Sequence, residues 1–279
     1  MEFDHNYYYF TYPDLLEKGL ETEEDAQIHW QNYGRNENKK RYGMKCGFAV
    51  STYHRNTDRL ESFQTCITSI MKHKKKETLV IVVDDGSAVK DHILWVKTTF
   101  PEITLFEKEQ NGGIAKCKNT CLRLLRESNC DNFFLMDDDL EVLQPIEDVY
   151  VKALCDKRVG ILSGATLGNV ILRDYTDSTC VTQLLNGFLL CLPRYNFEKA
   201  GYFKIFPHKY GHEHTWYTFR VMTTTGQTEF LNIKSFMSHV RLINVLSSVP
   251  SEEVHSGFDI NGKILAQWSG HLNREECLE

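Results

Sequence analysis

Four short apolar runs, each followed by a polar tip and separated by stretches of helical periodicity, constrain this chain more than any other feature. The first run is Phe48-Ala49-Val50 and the second, Leu79 to Val83, is β-branched and wholly apolar. Ile103 to Phe106 and Phe133-Phe134-Leu135-Met136 complete the set. Between the first two, Leu60, Phe63, Ile67 and Ile70 recur at helical spacing, with Asp58 as the expected cap. Ile114 to Leu125 has the same period. Strands alternating with helices in this way specify a parallel sheet with helices packed on its faces.

In such sheets ligands collect at the carboxyl ends of the strands. Here the tips read Ser51-Thr52-Tyr53-His54-Arg55, Asp84-Asp85-Gly86-Ser87, Asn111-Gly112-Gly113-Ile114 and Asp137-Asp138-Asp139. Singly, each has an ordinary explanation, since Asp-Gly and Asn-Gly favour turns and aspartate runs are usually solvated. Together they gather like charges at one edge of one sheet, which is repulsive unless a cation binds there. Carboxylate oxygens suit Mg²⁺ or Mn²⁺, and such sites complete their shell with phosphate oxygens.

Composition narrows the classes further. The 279 residues suffice for one large α/β domain plus a small accessory piece, and 42% apolar with 25% charged residues is ordinary for a packed soluble protein. A formal charge of −6 argues against non-specific nucleic-acid binding. The basic run Lys72 to Lys76 reads as the cationic end of a helix. None of the nine cysteines forms a Cys-x-x-Cys pair, and Cys66, Cys117, Cys121 and Cys191 fall in apolar-periodic segments. A reducing compartment therefore fits better than a disulfide framework. The N-terminal residues lack a signal-like pattern and no apolar stretch reaches membrane-span length, so the expected location is cytoplasmic, without an integral membrane segment.

The motifs from Cys46 to Gly164 resemble the donor half of family-2 glycosyltransferases with the GT-A fold, a Rossmann-like, mostly parallel sheet with helices on both faces. The matching residues are Ser51 to Arg55, Asp84 to Ser87, Asn111-Gly112-Gly113 with Lys118-Asn119, and Asp137-Asp138-Asp139. His54 stands for the family's asparagine and Lys118 for its arginine. The resemblance implies a donor site of Ser51, Tyr53, Arg55, Asp84, Asp85, Asn111, Gly113, Lys118, Asp137 and Asp138. Ser51 and Asp85 would touch the base, Asp138 the ribose, and Asp139, with Asp137 beside it, the metal and its diphosphate.

Downstream, Gly187 to Leu192 reads as a further strand, and Tyr210-Gly211-His212-Glu213-His214-Thr215-Trp216 is similar to the acceptor and base segment of family-2 and β-1,4-galactosyltransferase-like enzymes. His214 stands where inverting relatives carry aspartate. The base is thus either Glu213, the favoured one, or His214, whose imidazole suits proton transfer near neutral pH. By the same resemblance His239 falls where a histidine metal ligand follows the base motif, although a lone histidine in an apolar segment is more often core.

The N-terminal stretch differs in composition. Tyr7-Tyr8-Tyr9-Phe10 and Tyr12-Pro13-Asp14-Leu15 precede a helix expected to start at Thr22 and to stop at Gly34, with a linker from Arg35 to Lys40. This segment resembles a short module that accompanies glycosyltransferases of some giant viruses and bacteria. The expected organisation is a helical module over 1–42 and a GT-A domain over 43–279. The donor half spans about 45–164, the acceptor half about 165–245, and a polar tail 246–279.

The function implied is transfer of a sugar from a nucleoside-diphosphate sugar, a UDP-sugar foremost, to a hydroxyl of a glycan or glycoconjugate, with inversion and with Mn²⁺ or Mg²⁺. A catalytically silent nucleotide-sugar or glycan-binding relative is one alternative. A sugar-1-phosphate nucleotidyltransferase is another, but it would want a Gly-rich basic loop after the first strand. The segment Leu167 to Leu184 is expected to shape the pocket for the substrates.

Overall fold

A computed structural model describes residues 3–12, 14–37, 45–156, 158–243 and 251–268. The N-terminal module is helical: α1 (His5–Thr11), α2 (Asp14–Glu17) and α3 (Glu23–His29), the last continuing as a π-helical turn through Trp30–Gly34. Thr22 caps α3 through a reciprocal capping box with Asp25, as the sequence indicates. Tyr8, Tyr9, Leu15 and Ala26 form the module's own small core. Gly34 closes the helical run, residues 35–37 form a turn, and the remainder of the expected linker lies outside the described residues.

The main unit then alternates: β1 (Cys46–Thr52), α4 (Leu60–His73), β2 (Leu79–Asp84), α5 (Asp91–Thr99), β3 (Thr104–Glu107), α6 (Ile114–Glu127) and β4 (Asn132–Asp137). After these come β5 (Leu140–Val142), α7 (Glu147–Leu154), β6 (Ser163–Gly164), β7 (Ile171–Asp174), β8 (Thr179–Thr182), β9 (Leu189–Pro193), α8 (Arg194–Ala200) and α9 (Glu213–Thr225). The last elements are β10 (Phe230–Ile233), α10 (Phe236–His239), β11 (Val240–Leu242) and α11 (Ser251–Trp268). One expected detail differs. The residue before α4 is Arg59 and makes no capping bond, while Asp58 accepts from the Asn56 side-chain amide at 2.9 Å.

The central sheet has the order β3-β2-β1-β4-β9, parallel except for β9, which runs antiparallel to β4. Its strands are sorted residue by residue between two cores. Phe48, Val50, Val80, Val82, Phe134 and Met136 face the core shared with α4, α5 and α7. Ala49, Ile81, Val83, Phe133 and Leu135 face the core shared with α6, α8 and α9. This period-two sorting is why the inner runs must be apolar throughout: β1, β2 and β4 are buried on both faces, whereas the edge strand β3 is half-exposed and carries Thr104 and Glu107. Eight cysteines among the described residues are buried and free. The stretch 167–184 is largely the β7–β8 hairpin, at the edge of a second sheet ordered β6-β10-β8-β7.

The N-terminal module meets the main unit where α1 packs on α8, and the Tyr195 hydroxyl donates to the buried Asp4 carboxylate at 3.3 Å. Among the described residues no helix is long and apolar enough to cross a membrane.

Candidate active site

The parallel register brings the expected tips together. Ser51 pairs with Asp137 across β1 and β4, and Thr52 pairs with Asp84 across β1 and β2. A cleft of about 330 Å³ opens above this edge. Of the residues expected to contact donor, metal or acceptor, Ser51, Tyr53, Asp85, Asn111, Asp137, Asp139, Glu213 and His214 line it. Thr52, Arg59, Ile114, Cys117, Tyr210, Gly211 and Phe258 line it as well.

The aspartates divide into two kinds. Asp84 is fully buried and does not reach the cleft: it accepts from the Ser87 amide at 3.3 Å, from the Ser87 hydroxyl and from Lys90, and lies 3.3 Å from His92 Nε2. Burial pushes its pKa up, but the His92, Lys90 and Ser87 contacts outweigh that and hold it at about 2. Asp138 is likewise buried and turned away from the cleft. Its partners are Arg59, the Thr52 hydroxyl at 2.7 Å and, at 3.5 Å, His54 Nε2. Burial again raises it, and His54, Arg59 and Thr52 bring it down to about 2. Neither aspartate is placed to contact a donor, contrary to the sequence expectation. Both brace the loops that carry those that are.

Asp85 and Asn111 organise the α6 end of the cleft. Asp85 binds Lys108 and accepts from the Gly112 and Gly113 amides at 3.1 and 2.8 Å. Gly113 has φ +85, and a Cβ there would lie 2.7 Å from the Lys209 carbonyl, so glycine is required on both counts. Asn111 accepts from the Gly113 amide at 3.0 Å and donates to the Tyr210 hydroxyl at 3.3 Å.

Asp139 is the aspartate of this tip whose charge is only partly compensated. Burial, then Asp137 and Asp138, raise it to about 7, and Arg59 at 3.8 Å only partly opposes them. Asp137 sits beside it, bound by the buried Lys118 at 2.6 Å and by the Ser51 hydroxyl at 3.4 Å. Lys118 is thus a strut under Asp137 and does not line the cleft. Arg55 is exposed and also outside the lining, and Arg59, four residues on, is the cation of this tip. Two adjacent carboxylates with one raised by its neighbours fit a small hard divalent cation. Among the described residues no group of three or more His, Cys, Asp or Glu side chains could hold a metal ion unaided. Remaining ligands would have to come from a bound diphosphate.

His239 is not brought to this group. Leu143 donates to the His239 carbonyl, whereas Ile243 donates to that of Asp139. The two therefore lie at opposite ends of the antiparallel β5–β11 ladder, roughly 13 Å apart along the strand. The His239 ring instead bonds the Ser235 carbonyl at 2.8 Å and the Ser238 hydroxyl at 3.1 Å. The expected third ligand position belongs to a local turn.

Glu213 and His214 open α9, preceded by His212 in the left-handed region at φ 65. Glu213 is buried, its Oε1 3.4 Å from His214 Nδ1, and its Oε2 has no hydrogen-bond partner among the described residues. Burial raises its pKa, yet His214 more than compensates, so the carboxylate is held ionised. The His214 side chain is one-third exposed (32%), and its ring lies against Gly187, where a Cβ would meet Cγ at 2.6 Å.

Residues 48–176 match the sequence profile described as glycosyl transferase family 2. Over this stretch the chain is similar to family 2 glycosyltransferases. It is 25% identical over 209 residues to an uncharacterized glycosyltransferase of Acanthamoeba polyphaga mimivirus, covering 71% of this chain and 81% of that protein. Similar folds include GalNAc-T7, solved with UDP, GalNAc and Mn²⁺, with a TM-score of 0.59 at 11% identity over 75% of this chain and 46% of that one. A mannosyltransferase of Pyrobaculum calidifontis, in complex with GDP-Man and Mn²⁺, gives a TM-score of 0.51 at 17% identity over 82% of this chain and 66% of that one. The chain spans less than two thirds of either solved protein. These likenesses establish the GT-A fold for the matched region.

Arg59, Thr52, Lys108, Tyr210 and Phe258 were not singled out from sequence. Only Arg59 carries a signal: a cation at a helix N-terminus opposes the dipole and so points to an acidic partner elsewhere. Phe258 lies in what reads as a polar tail and is in fact helix α11.

Proposed function

We propose that the chain is a metal-dependent, inverting glycosyltransferase that moves a sugar from a nucleoside-diphosphate sugar, with a UDP-sugar the leading donor, to a hydroxyl of a glycan or glycoconjugate. One observation carries this reading. The carboxylate pair Asp137 and Asp139 shares a single cleft with Glu213, a buried carboxylate whose Oε2 has no hydrogen-bond partner among the described residues.

Asp139 and Asp137 would hold Mn²⁺ or Mg²⁺, whose contribution is to stabilise charge on the departing diphosphate. Mn²⁺ accompanies the nucleotide in both solved relatives, which supports this choice. Ser51, Tyr53, Asp85 and Asn111 line the cleft and would contact the nucleoside. Arg59 bridges Asp138 to Asp139 and keeps the acidic tip from separating. Glu213 Oε2 accepts the proton of the acceptor hydroxyl while that oxygen attacks the anomeric carbon opposite the leaving diphosphate, which inverts the centre. His214, at Oε1, keeps Glu213 ionised before the transfer. His214 itself is the competing base, since it lines the same cleft.

The test is a donor panel, reading nucleoside diphosphate release with acceptor glycans, with and without Mn²⁺. Release that needs both metal and acceptor supports the proposal. Nucleotide binding without release from any donor would identify a silent binding relative instead, and metal-independent turnover would remove the role given to Asp139.

A further inference from the structure

The helix α11 reads as an unlikely helix, and its misfit residues meet one segment of the site. Gly257, Asn261 and Gly262 are poor helix formers. All three face residues 208–212, the turn that leads into α9. The backbones there are in direct contact: a Cβ on Gly257 would collide with the Tyr210 carbonyl, and one on Gly211, at φ +100, would lie 2.8 Å from the Phe258 amide. Asn261 is 1% exposed. Its amide donates to the carbonyls of His208, Tyr210 and Gly211 at 3.1, 2.9 and 2.9 Å. A Cβ on Gly262 would lie 3.0 Å from the His212 ring, and Phe258 stacks edge-on against that ring at 5.0 Å between centroids.

These contacts converge one residue before Glu213. His212 holds a left-handed conformation with no side-chain capping bond, which a non-glycine residue keeps only when its surroundings impose it. We infer that α11 is a clamp on the base segment, with Asn261 a positioning residue that fixes the Tyr210–Gly211 turn and thereby the direction of Glu213 and His214 into the cleft. Phe258, on the same helix, supplies part of the cleft wall and couples the clamp to substrate. Loss of the Asn261 amide leaves three carbonyls without that donor and frees the turn. A misplacement of about 1 Å at such a site costs on the order of a hundredfold in rate. This inference rests on the proposed transferase function, but its first readout does not.

The experiment uses the full chain and compares wild type with Asn261→Ala and Asn261→Asp. Asn261→Asp keeps the shape and volume but replaces the donor with an acceptor facing carbonyl oxygens. Amide hydrogen exchange over residues 208–214 is read first, then turnover and affinity for UDP with Mn²⁺. Both variants are expected to accelerate exchange in this segment and to lower turnover at least about tenfold, Asn261→Asp more than Asn261→Ala, with UDP affinity within about threefold. Protection of 208–214 equal to wild type in both variants overturns the clamp whatever the activity. So does wild-type turnover in Asn261→Asp, which would show that filling volume is all the side chain does. Should Asn261→Ala fail to fold, Phe258→Ala, at a 44% exposed position on the same helix, supplies the exchange measurement. Unchanged exchange at His212 in that variant also counts against the clamp. Absence of transfer by wild type with altered exchange in the variants would sink the proposed function and leave the clamp standing.

Discussion

Substituting Asp84 with asparagine separates a bracing aspartate from a ligand-binding one. The side chain is fully buried, and its pKa of about 2, against an ordinary 3.8, measures how strongly the fold prefers the ion. That depression corresponds to roughly 2.5 kcal/mol of folding stability. Because the folded pKa lies below the unfolded one, the contribution is complete above about pH 4 and is lost as the pH falls toward 2. Breaking a buried pair outright can cost about 3–5 kcal/mol. Here the lower figure governs, because the Lys90 side chain is 43% exposed and can return to water. The Asp84→Asn protein is therefore expected to lose about 2–3 kcal/mol at neutral pH, or roughly 4–10 °C in Tm. Urea unfolding near pH 7 and near pH 3 provides the assay. The wild-type advantage should shrink at the lower pH, and nucleotide affinity of the folded variant should stay within about threefold of wild type. A variant of native stability whose nucleotide affinity drops more than tenfold would refute the reasoning and return Asp84 to the donor site.

Asp139→Asn is expected to abolish dependence on added Mn²⁺ and to lower turnover by about a hundredfold or more with Tm near native, since this side chain builds no core; full turnover in excess chelator would contradict the metal role. Glu213→Gln should cost on the order of a hundred- to ten-thousand-fold in turnover with nucleotide affinity largely kept. If His214→Asn shows that loss while Glu213→Gln does not, His214 is the base. Removal of residues 1–42 should leave nucleotide binding intact, since every cleft residue lies after them, while exposing Tyr195 and lowering stability by about 1–2 kcal/mol through loss of its Asp4 contact. A truncated protein that folds but binds no nucleotide would overturn the division into module and domain.

The sequence determined the parallel sheet and the edge on which the site lies. Strands buried on both faces must be apolar at every position, so Leu79 to Val83 and Phe133 to Met136 could be little else. Once those strands are in register, their tips share one edge, where Ser51, Asp85, Asn111, Asp137 and Asp139 were legible; Glu213 and His214, on α9, were legible only through the resemblance to the base segment. Which aspartate faces the cleft was not. Asp84 and Asp85 are neighbours in the chain, as are Asp138 and Asp139, and successive residues at a strand end point to opposite sides. Only the tertiary structure shows that Lys90, His92 and Ser87 close around Asp84, that Arg59, Thr52 and His54 close around Asp138, and that Asp139 is left with its charge opposed only in part.

His239 shows the same limit in another form. Its distance from the motif along the chain matched a ligand position, but antiparallel pairing sends β11 past β5 so that the histidine lies at the far end. Register depends on which residues pair, and pairing between segments about a hundred residues apart leaves no local mark. The clamp from α11 lies further still from local reading. Gly257, Asn261 and Gly262 weaken a helix, and along the chain they resemble a polar tail. Only when that helix is packed against residues 208–212 do the missing side chains become room for a backbone and the amide a donor to three carbonyls. Local propensity measures what a segment costs alone; the contact that repays the cost belongs to the folded chain.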